Sequence, residues 1–425
     1  MFPTMPIKCA SRCNSEVLAE GTNPLYEIEY VDIGSVTSNG DITSEAMLFG
    51  EAPSRARRKV RDGDVIVSTV RTYLRAIAHL SNPPENMVVS TGFAVLRPSE
   101  NVDTRFFGYA LQSNTFVNEV VAKSEGVSYP AITPQKLAGI RIPVPPKPAQ
   151  VAIAEFLDRE TATADTLISD HEIFINLLVE KRTVAIKCAV TKGVDPNATA
   201  KDSGVAWIGQ VPTHWTVRPL QHLGIMVSGG TPPDAALGVQ GDVPFYRVAD
   251  LGYADNDGNL TEPDVFMTSA SARSFNIRIF PAGTVIFAKR GAALLLGRVR
   301  RTPSAACVDT NMMGFEPEPR LLNSHFAQFA MQCIDMSSIV NPGALPSVDA
   351  RQLKPIRIPV PPLGEQEAIV DRIKTQTREI DELISDARRS ISLLSERRAA
   401  LVTAAVTGEI NLTDYNSRFA KLEIA

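Results

Sequence analysis

At 425 residues and 46.1 kDa, with 44% apolar and 21% charged residues, the chain has a globular composition and room for two domains, which excludes a largely disordered polymer. A formal charge of -4 excludes an overall basic surface of the kind that displaces counterions from nucleic acid, so such a partner would have to meet local basic faces. No stretch approaches the roughly 18 apolar residues of a membrane span, and the opening MFPTMPIKCASRCNSE lacks the apolar segment of a signal peptide, so a cytoplasmic location is expected.

The first segment, 1–147, holds short runs rich in Val, Ile, Phe and Tyr broken by Gly, Pro, Asn and Asp. VIVSTV and FAVLRP predict strands, and FFGYALQSNTFVNEVV predicts short helices. SRARRKVRDGDVIVSTVRTYLR (54–75) carries Arg55, Arg57, Arg58, Lys59, Arg61, Arg71 and Arg75 against only Asp62 and Asp64. SNPPEN (81–86) contains the Asn-Pro-Pro of amino-methyltransferases, but Glu85 stands where those enzymes stack a ring, and a turn is expected. The phrase IRIPVPP (140–146) closes the segment; prolines so closely spaced suit neither a helix nor a central strand, and predict a fixed hinge.

A helix is expected over 148–192, ending at Gly193, where glycine can take the left-handed conformation that closes a helix. Ile168, His171, Ile175, Leu178, Arg182, Ala185 and Ala189 advance by threes and fours and form one stripe. A linker, 193–205, leads to a second segment, 206–363. There SGGTPP (228–233) offers Ser228, Thr231 and a flexible turn to phosphate, VPFYRVAD and TVIFAKR predict strands, and SHFAQFAMQCIDM predicts a helix. IFAKRGAALLLGRVRR (286–301) carries Lys289, Arg290, Arg298, Arg300 and Arg301 with no acid. IRIPVPP returns at 356–362, followed by a second helix, 364–408, with the stripe Ile384, Ala387, Ile391, Leu394, Arg398, Leu401 and Ala405, and a tail, 409–425.

The returning phrase belongs to a duplication. Laid one over the other, 148–191 and 364–407 align without a gap and share 17 identities in 44 positions. A helix of that length would be about 66 Å long, far beyond the roughly 30 Å of a small domain, so its stripe needs another long helix as partner. The duplicate is that partner. The expected fold is α+β: two tandem globular domains, each followed by a long helix, with the helices paired as an antiparallel coiled coil of pseudo-twofold symmetry. Ile168, Ile175, Leu178, Ile384, Ile391, Leu394 and Leu401 would make the seam, and the pair would hold two domains a fixed distance apart at opposite ends.

Catalytic signatures are missing: there is no GxxxxGK[ST] loop, HExxH, GxGxxG or GxSxG. His79, His171, His214, His222 and His325 are scattered, and Cys9, Cys13, Cys188, Cys307 and Cys333 supply no second half of a zinc site. Recognition is expected in place of catalysis, with the basic clusters as the recognising faces, since arginine makes forked contacts to phosphate and to guanine edges.

This layout resembles the specificity subunit of type I restriction-modification enzymes. Trp207, Gly209, Pro212 and Trp215 match that family's opening, Gly230, Thr231 and Pro232 its next turn, and Leu353, Ile356, Ile358, Pro359, Pro361, Pro362, Glu365, Gln366 and Ile369 its hinge. The first unit departs at its start, rejoining the pattern near Tyr26, and its hinge keeps Gln150 and Ile153 but not the Glu. The resemblance implies two target recognition domains that read a bipartite duplex DNA target through the major groove, with the helices setting an unread spacer. It further implies two methyltransferase subunits carrying S-adenosylmethionine and restriction subunits using ATP and Mg2+, this chain bringing no cofactor. The alternatives are a coiled-coil scaffold that organises protein partners without reading DNA, and a self-sufficient methyltransferase.

Overall fold

The computed structural model describes residues 2–126, 129–255, 257–341 and 345–410; the tail expected at 409–425 lies outside these from residue 411 on. Two compact units emerge, one formed by residues up to Glu172 and from Arg388 onward, the other by Ile173–Ala387. Each therefore takes part of both long helices.

Both units follow one strand plan. In the first, Val65–Ser68 lies between Ile77–His79 and Phe93–Pro98, with Ser11–Cys13 beyond, all antiparallel. In the second, Val285–Ala288 lies between Val299–Arg301 and Met312–Pro317, with Gly224–Ser228 beyond. Each central strand is buried at every position, which is why VIV and VIFA read as apolar runs without alternation. In the first unit Val65 and Val67 join the core made with Phe107 and Leu111, whereas Ile66 points into the other core with Phe93 and Val31. A second sheet in each unit contains one parallel pair, Glu27–Val31 with Met87–Ser90 and Val243–Tyr246 with Cys307–Val308. The helices expected from FFGYALQ and SHFAQFAMQ form as Thr104–Gln112 and Ser324–Gln332, capped by Asp103 and Asn323.

The repeated phrase is a strand before it is a hinge. Arg141–Pro143 pairs antiparallel with Thr4–Pro6, and Arg357–Val360 with Thr216–Pro219. A two-stranded ribbon leaves an outer edge, so the prolines cost no ladder hydrogen bond on that side. The helices Lys147–Lys192 and Leu363–Thr407 begin directly after. A fully buried glutamine locks each junction. Gln150 Oε1 accepts from the Asp103 N–H at 2.8 Å and its Nε2 donates to the Pro145 carbonyl at 2.7 Å. Gln366 Oε1 accepts from the Asn323 N–H at 2.7 Å and its Nε2 donates to the carbonyls of Pro361 and Leu321 at 2.8 and 3.0 Å. The junction is thus rigid, tied to the cap of a domain helix. Gln366→Leu would leave these backbone groups buried without partners and is expected to cost about 1–3 kcal/mol, read by denaturant unfolding.

The divergent N-terminus completes the same edge. Thr4–Pro6 occupies in the first unit the place that Thr216–Pro219 holds in the second, so the departure in sequence is not a departure in fold. Helix closure shows how. Gly193 and Gly408 both have positive φ, at 74° and 77°, as expected from their positions. A Cβ on Gly193 would lie 2.9 Å from the Trp215 ring, and one on Gly408 would lie 2.9 Å from the Phe2 ring. Phe2 therefore stands in for Trp215. The Trp215 indole N–H donates to Glu365, whose other oxygen meets His214 at 2.8 Å. Phe2 has no N–H to satisfy, and the position equivalent to Glu365 is Ala149. The missing Trp and the missing Glu are one substitution.

The helices pair in both units. In the first, Arg398 Nε meets Asp165 at 2.9 Å; in the second, Arg182 Nε meets Asp381 at 2.9 Å, the same pair with each partner supplied by the other copy of the repeat. Leu178, Ile380, Ile384 and Ile175 form an apolar cluster in the second unit. Ile168 is buried in the first, and Ile391, Leu394 and Leu401 are half-buried. Arg398, read as part of the stripe, also donates to the Asn39 carbonyl at 3.3 Å, tying the helix to a loop of its domain.

Candidate nucleic-acid interface

In the first unit the cationic run divides between two places. Ala56–Lys59 is an edge strand beside Met87–Ser90. Arg57 lies over the Phe49 ring at 4.8 Å and donates from Nε to the Ser54 carbonyl, and Arg58 is half-buried, with burial lowering its pKa. Lys59 is half-buried and Arg55 exposed, while the exposed Arg61 is ion-paired to Glu16 at 2.6 Å. Glu16 also meets Arg97, which grips the fully buried Asp64. No motif marks that Asp64–Arg97 pair; in sequence Asp64 reads only as a charge opposing the run. The second place is the connection from Ser68 to Ile77. Arg71 there is exposed, its guanidinium 4.7 Å from the centre of the Tyr129 ring, and Arg75 donates to Asn114.

In the second unit the corresponding connection, from Ala288 to Val299, carries the other cluster. Lys289 Nζ donates to Ser228 Oγ at 2.9 Å, which brings two expected contacts together, and burial with the neighbouring Arg290 lowers the Lys289 pKa. Arg290 and Arg298 are exposed and hold no ion pair among the described residues. Arg300 is half-buried, and burial lowers its pKa.

Two expectations need correcting. Arg301 is 4% exposed and spends its guanidinium on Asn259 and Ser324, so it braces the fold and has no open face for phosphate. The SGGTPP turn is not a free nest: the Gly229 N–H donates to the Met312 carbonyl and the Gly230 N–H to the Val308 carbonyl. A Cβ on Gly229 would lie 2.1 Å from the Asp309 carbonyl oxygen, so this glycine serves close backbone approach. Thr231 remains exposed beside it.

The edge strand Ala56–Lys59 has no counterpart strand among the described residues of the second unit, whose matching sheet has three strands. What recurs is the connection carrying Arg71 and Arg75 in one unit and Arg290 and Arg298 in the other. In the second unit, His325 is held down to about 4 by burial and by Arg301 and Lys374, and so is neutral at pH 7. Among the described residues no three His, Cys, Asp or Glu side chains gather as a metal site, and no helix is long and apolar enough to cross a membrane. SNPPEN forms the expected turn, with Asn82 at positive φ and its N–H on Asp62.

A family model described as the type I restriction modification DNA specificity domain matches residues 23–172 and 212–391. A Methanocaldococcus jannaschii protein named as the putative MjaX type I restriction enzyme specificity subunit is 25% identical over 369 residues, covering 84% of this chain and 80% of its own. The EcoKI specificity subunit of Escherichia coli K12 is 19% identical over 330 residues, 74% of this chain and 68% of its own. A solved structure described by its work on complex assembly and conformational transition of the type I R-M system superposes with a TM-score of 0.61 at 22% identity, covering 96% of this chain and 100% of that one. At that identity the likeness concerns the fold.

Proposed function

From the premise that this chain belongs to the type I restriction-modification DNA specificity family, we propose that each unit reads one half of a bipartite duplex target and that the paired helices set the spacer between the halves. The chain is the sequence-specific DNA-recognition subunit of a type I restriction-modification complex and is not itself the catalyst. The observation that carries the reading of the site is the recurrence, on the same connection of both units, of exposed arginines: Arg71 in the first, Arg290 and Arg298 in the second. With Arg55, Arg58, Lys59, Lys289 and Ser228 they supply phosphate contacts and base readout. Net charge of -4 is no obstacle once the basic side chains are gathered on such connections.

The outer faces of the helices support the reading of the partners. Leu167 and Leu383 are exposed by 44% and 47%, and Leu177 and Leu393 by 58% and 57%, each pair at equivalent positions of the repeat. Equivalent bare leucines suit two copies of one partner, here two methyltransferase subunits that carry S-adenosylmethionine, with restriction subunits bringing ATP and Mg2+. The complex would work in the cytoplasm, where its DNA is.

Arg58→Ala and Arg290→Ala in the complete complex are both expected to weaken binding to the selected target, Arg290→Ala by about 10- to 100-fold, as for one good forked contact. Unchanged affinity and unchanged site in both variants would overturn the assignment of these clusters. Binding without any sequence preference in the parent complex would favour a scaffold that organises proteins without reading DNA.

A further inference from the structure

The two recurring connections are built alike in detail. Val70 bridges Ala131, which also bridges Glu125; Arg290 bridges Ser347, which also bridges Asn341. After the bridge each chain makes a single helical turn, Thr72–Leu74 and Ala292–Leu295, and then enters the return strand at Ile77 or Val299. Each turn is flanked by residues of positive φ. In the second unit these are Gly291 and Gly297, at 78° and 60°, the residue type such backbone favours. In the first unit they are Arg71 and Arg75, at 52° and 58°.

A Cβ disfavours left-handed backbone, and a long charged side chain there gains nothing that glycine would lack unless its head group is used. Arg75 has a use inside the fold, on Asn114. Arg71 is exposed, and among the described residues its side chain lies against the face of Tyr129, itself 61% exposed, which holds the guanidinium plane without occupying its N–H fork. The turns between carry bare apolar tips, Tyr73 and Leu74 in the first unit and Leu295 and Leu296 in the second, each about half exposed or more. Apolar tips set between cations match a DNA groove, where phosphates flank base edges and the thymine methyl is an apolar mark.

Resting on the reading above, we propose that these two connections are the reading heads of the chain and that Arg71 is a specificity-determining residue that presents its fork to guanine in the first half-site. Tyr129 positions that fork, and Tyr73 and Leu74 lie against neighbouring base edges. The second unit uses glycines at the flanks and gives the same task to Arg290 and the Leu295–Leu296 tip.

Arg71→Gly tests this because it relieves the backbone while deleting the fork. The complete complex carrying either chain would be offered a randomised duplex DNA pool, and its unfolding temperature measured in parallel. The expected result is an unfolding temperature equal to or above the parent's, with discrimination at one or more positions of a single half-site reduced about 10- to 100-fold and the other half-site intact. Arg71→Lys, which keeps the charge but not the fork, should lose the same discrimination. An unchanged consensus in Arg71→Gly overturns the inference while leaving the bipartite reading in place. So does a clear loss of thermal stability, which would make the Tyr129 contact structural. Absence of any consensus from the parent complex overturns both this inference and the function it rests on.

Discussion

Removing one heptad from each long helix, residues 170–176 and 387–393, is expected to shorten the unread spacer of the DNA target by about three base pairs. Seven residues of helix rise about 10.5 Å, close to three base-pair steps of duplex. Both segments lie between the ion pairs Arg398–Asp165 and Arg182–Asp381, so cutting both keeps those pairs and the heptad phase of the seam. The duplex turns through nearly a third of a revolution over three base pairs, so the original target can no longer present both halves, and methylation there should fall below detection. Mapping of methylated bases in cells carrying the deletion reads the outcome directly. Continued methylation at the original spacing would show that the helices do not set it. A single-helix deletion should act differently, because it shifts one arginine away from its aspartate and unpairs the seam; loss of the assembled complex is expected there.

Trp215→Ala is expected to be the most destabilising single change in the second unit. The side chain is 1% exposed and lies within that unit's main core, against the helix-closing Gly193. Truncating a buried aromatic costs about 3–5 kcal/mol, which in a unit of this size lowers the unfolding temperature by about 10 °C. The first unit points to a repair. It fills the same place with Phe2 and carries Ala149 in place of a carboxylate. Trp215→Phe alone removes one of the two donors on Glu365, while Trp215→Phe with Glu365→Ala copies the first unit's solution. The double variant should therefore lose less than the two single losses added together, a coupling that a double-mutant cycle measures. Strict additivity would break the argument that the Trp and the Glu are exchanged as a pair.

The long helices, the duplication and the family pattern were legible because they rest on local regularities. A three-four stripe, a glycine stop and a repeat that aligns without a gap survive without knowledge of any distant contact. The strands VIVS, FAVLRP and VIFA were legible for the same reason, since a buried strand is mostly apolar whatever covers it. IRIPVPP was half legible: its prolines announced a boundary, but the ribbon with Thr4–Pro6 joins segments from opposite ends of the first domain, and no local signal marks the partner. The same separation hid the N-terminus, where Phe2 takes the place of a tryptophan by meeting Gly408 from the far end of the chain.

Charge was the least legible property. A run of basic residues in sequence says how many cations there are, not where each one points. Folding sent Arg301 inward to Asn259 and Ser324, set Arg57 on a ring, committed Arg61 to Glu16, and left Arg71, Arg290 and Arg298 facing solvent. Sequence by itself determined the repeated architecture, because periodicity and duplication are properties of the chain taken in order. Tertiary structure alone decided which cations stay exposed and unpaired among the described residues, because exposure and ion pairing depend on neighbours that only folding brings within a few ångströms.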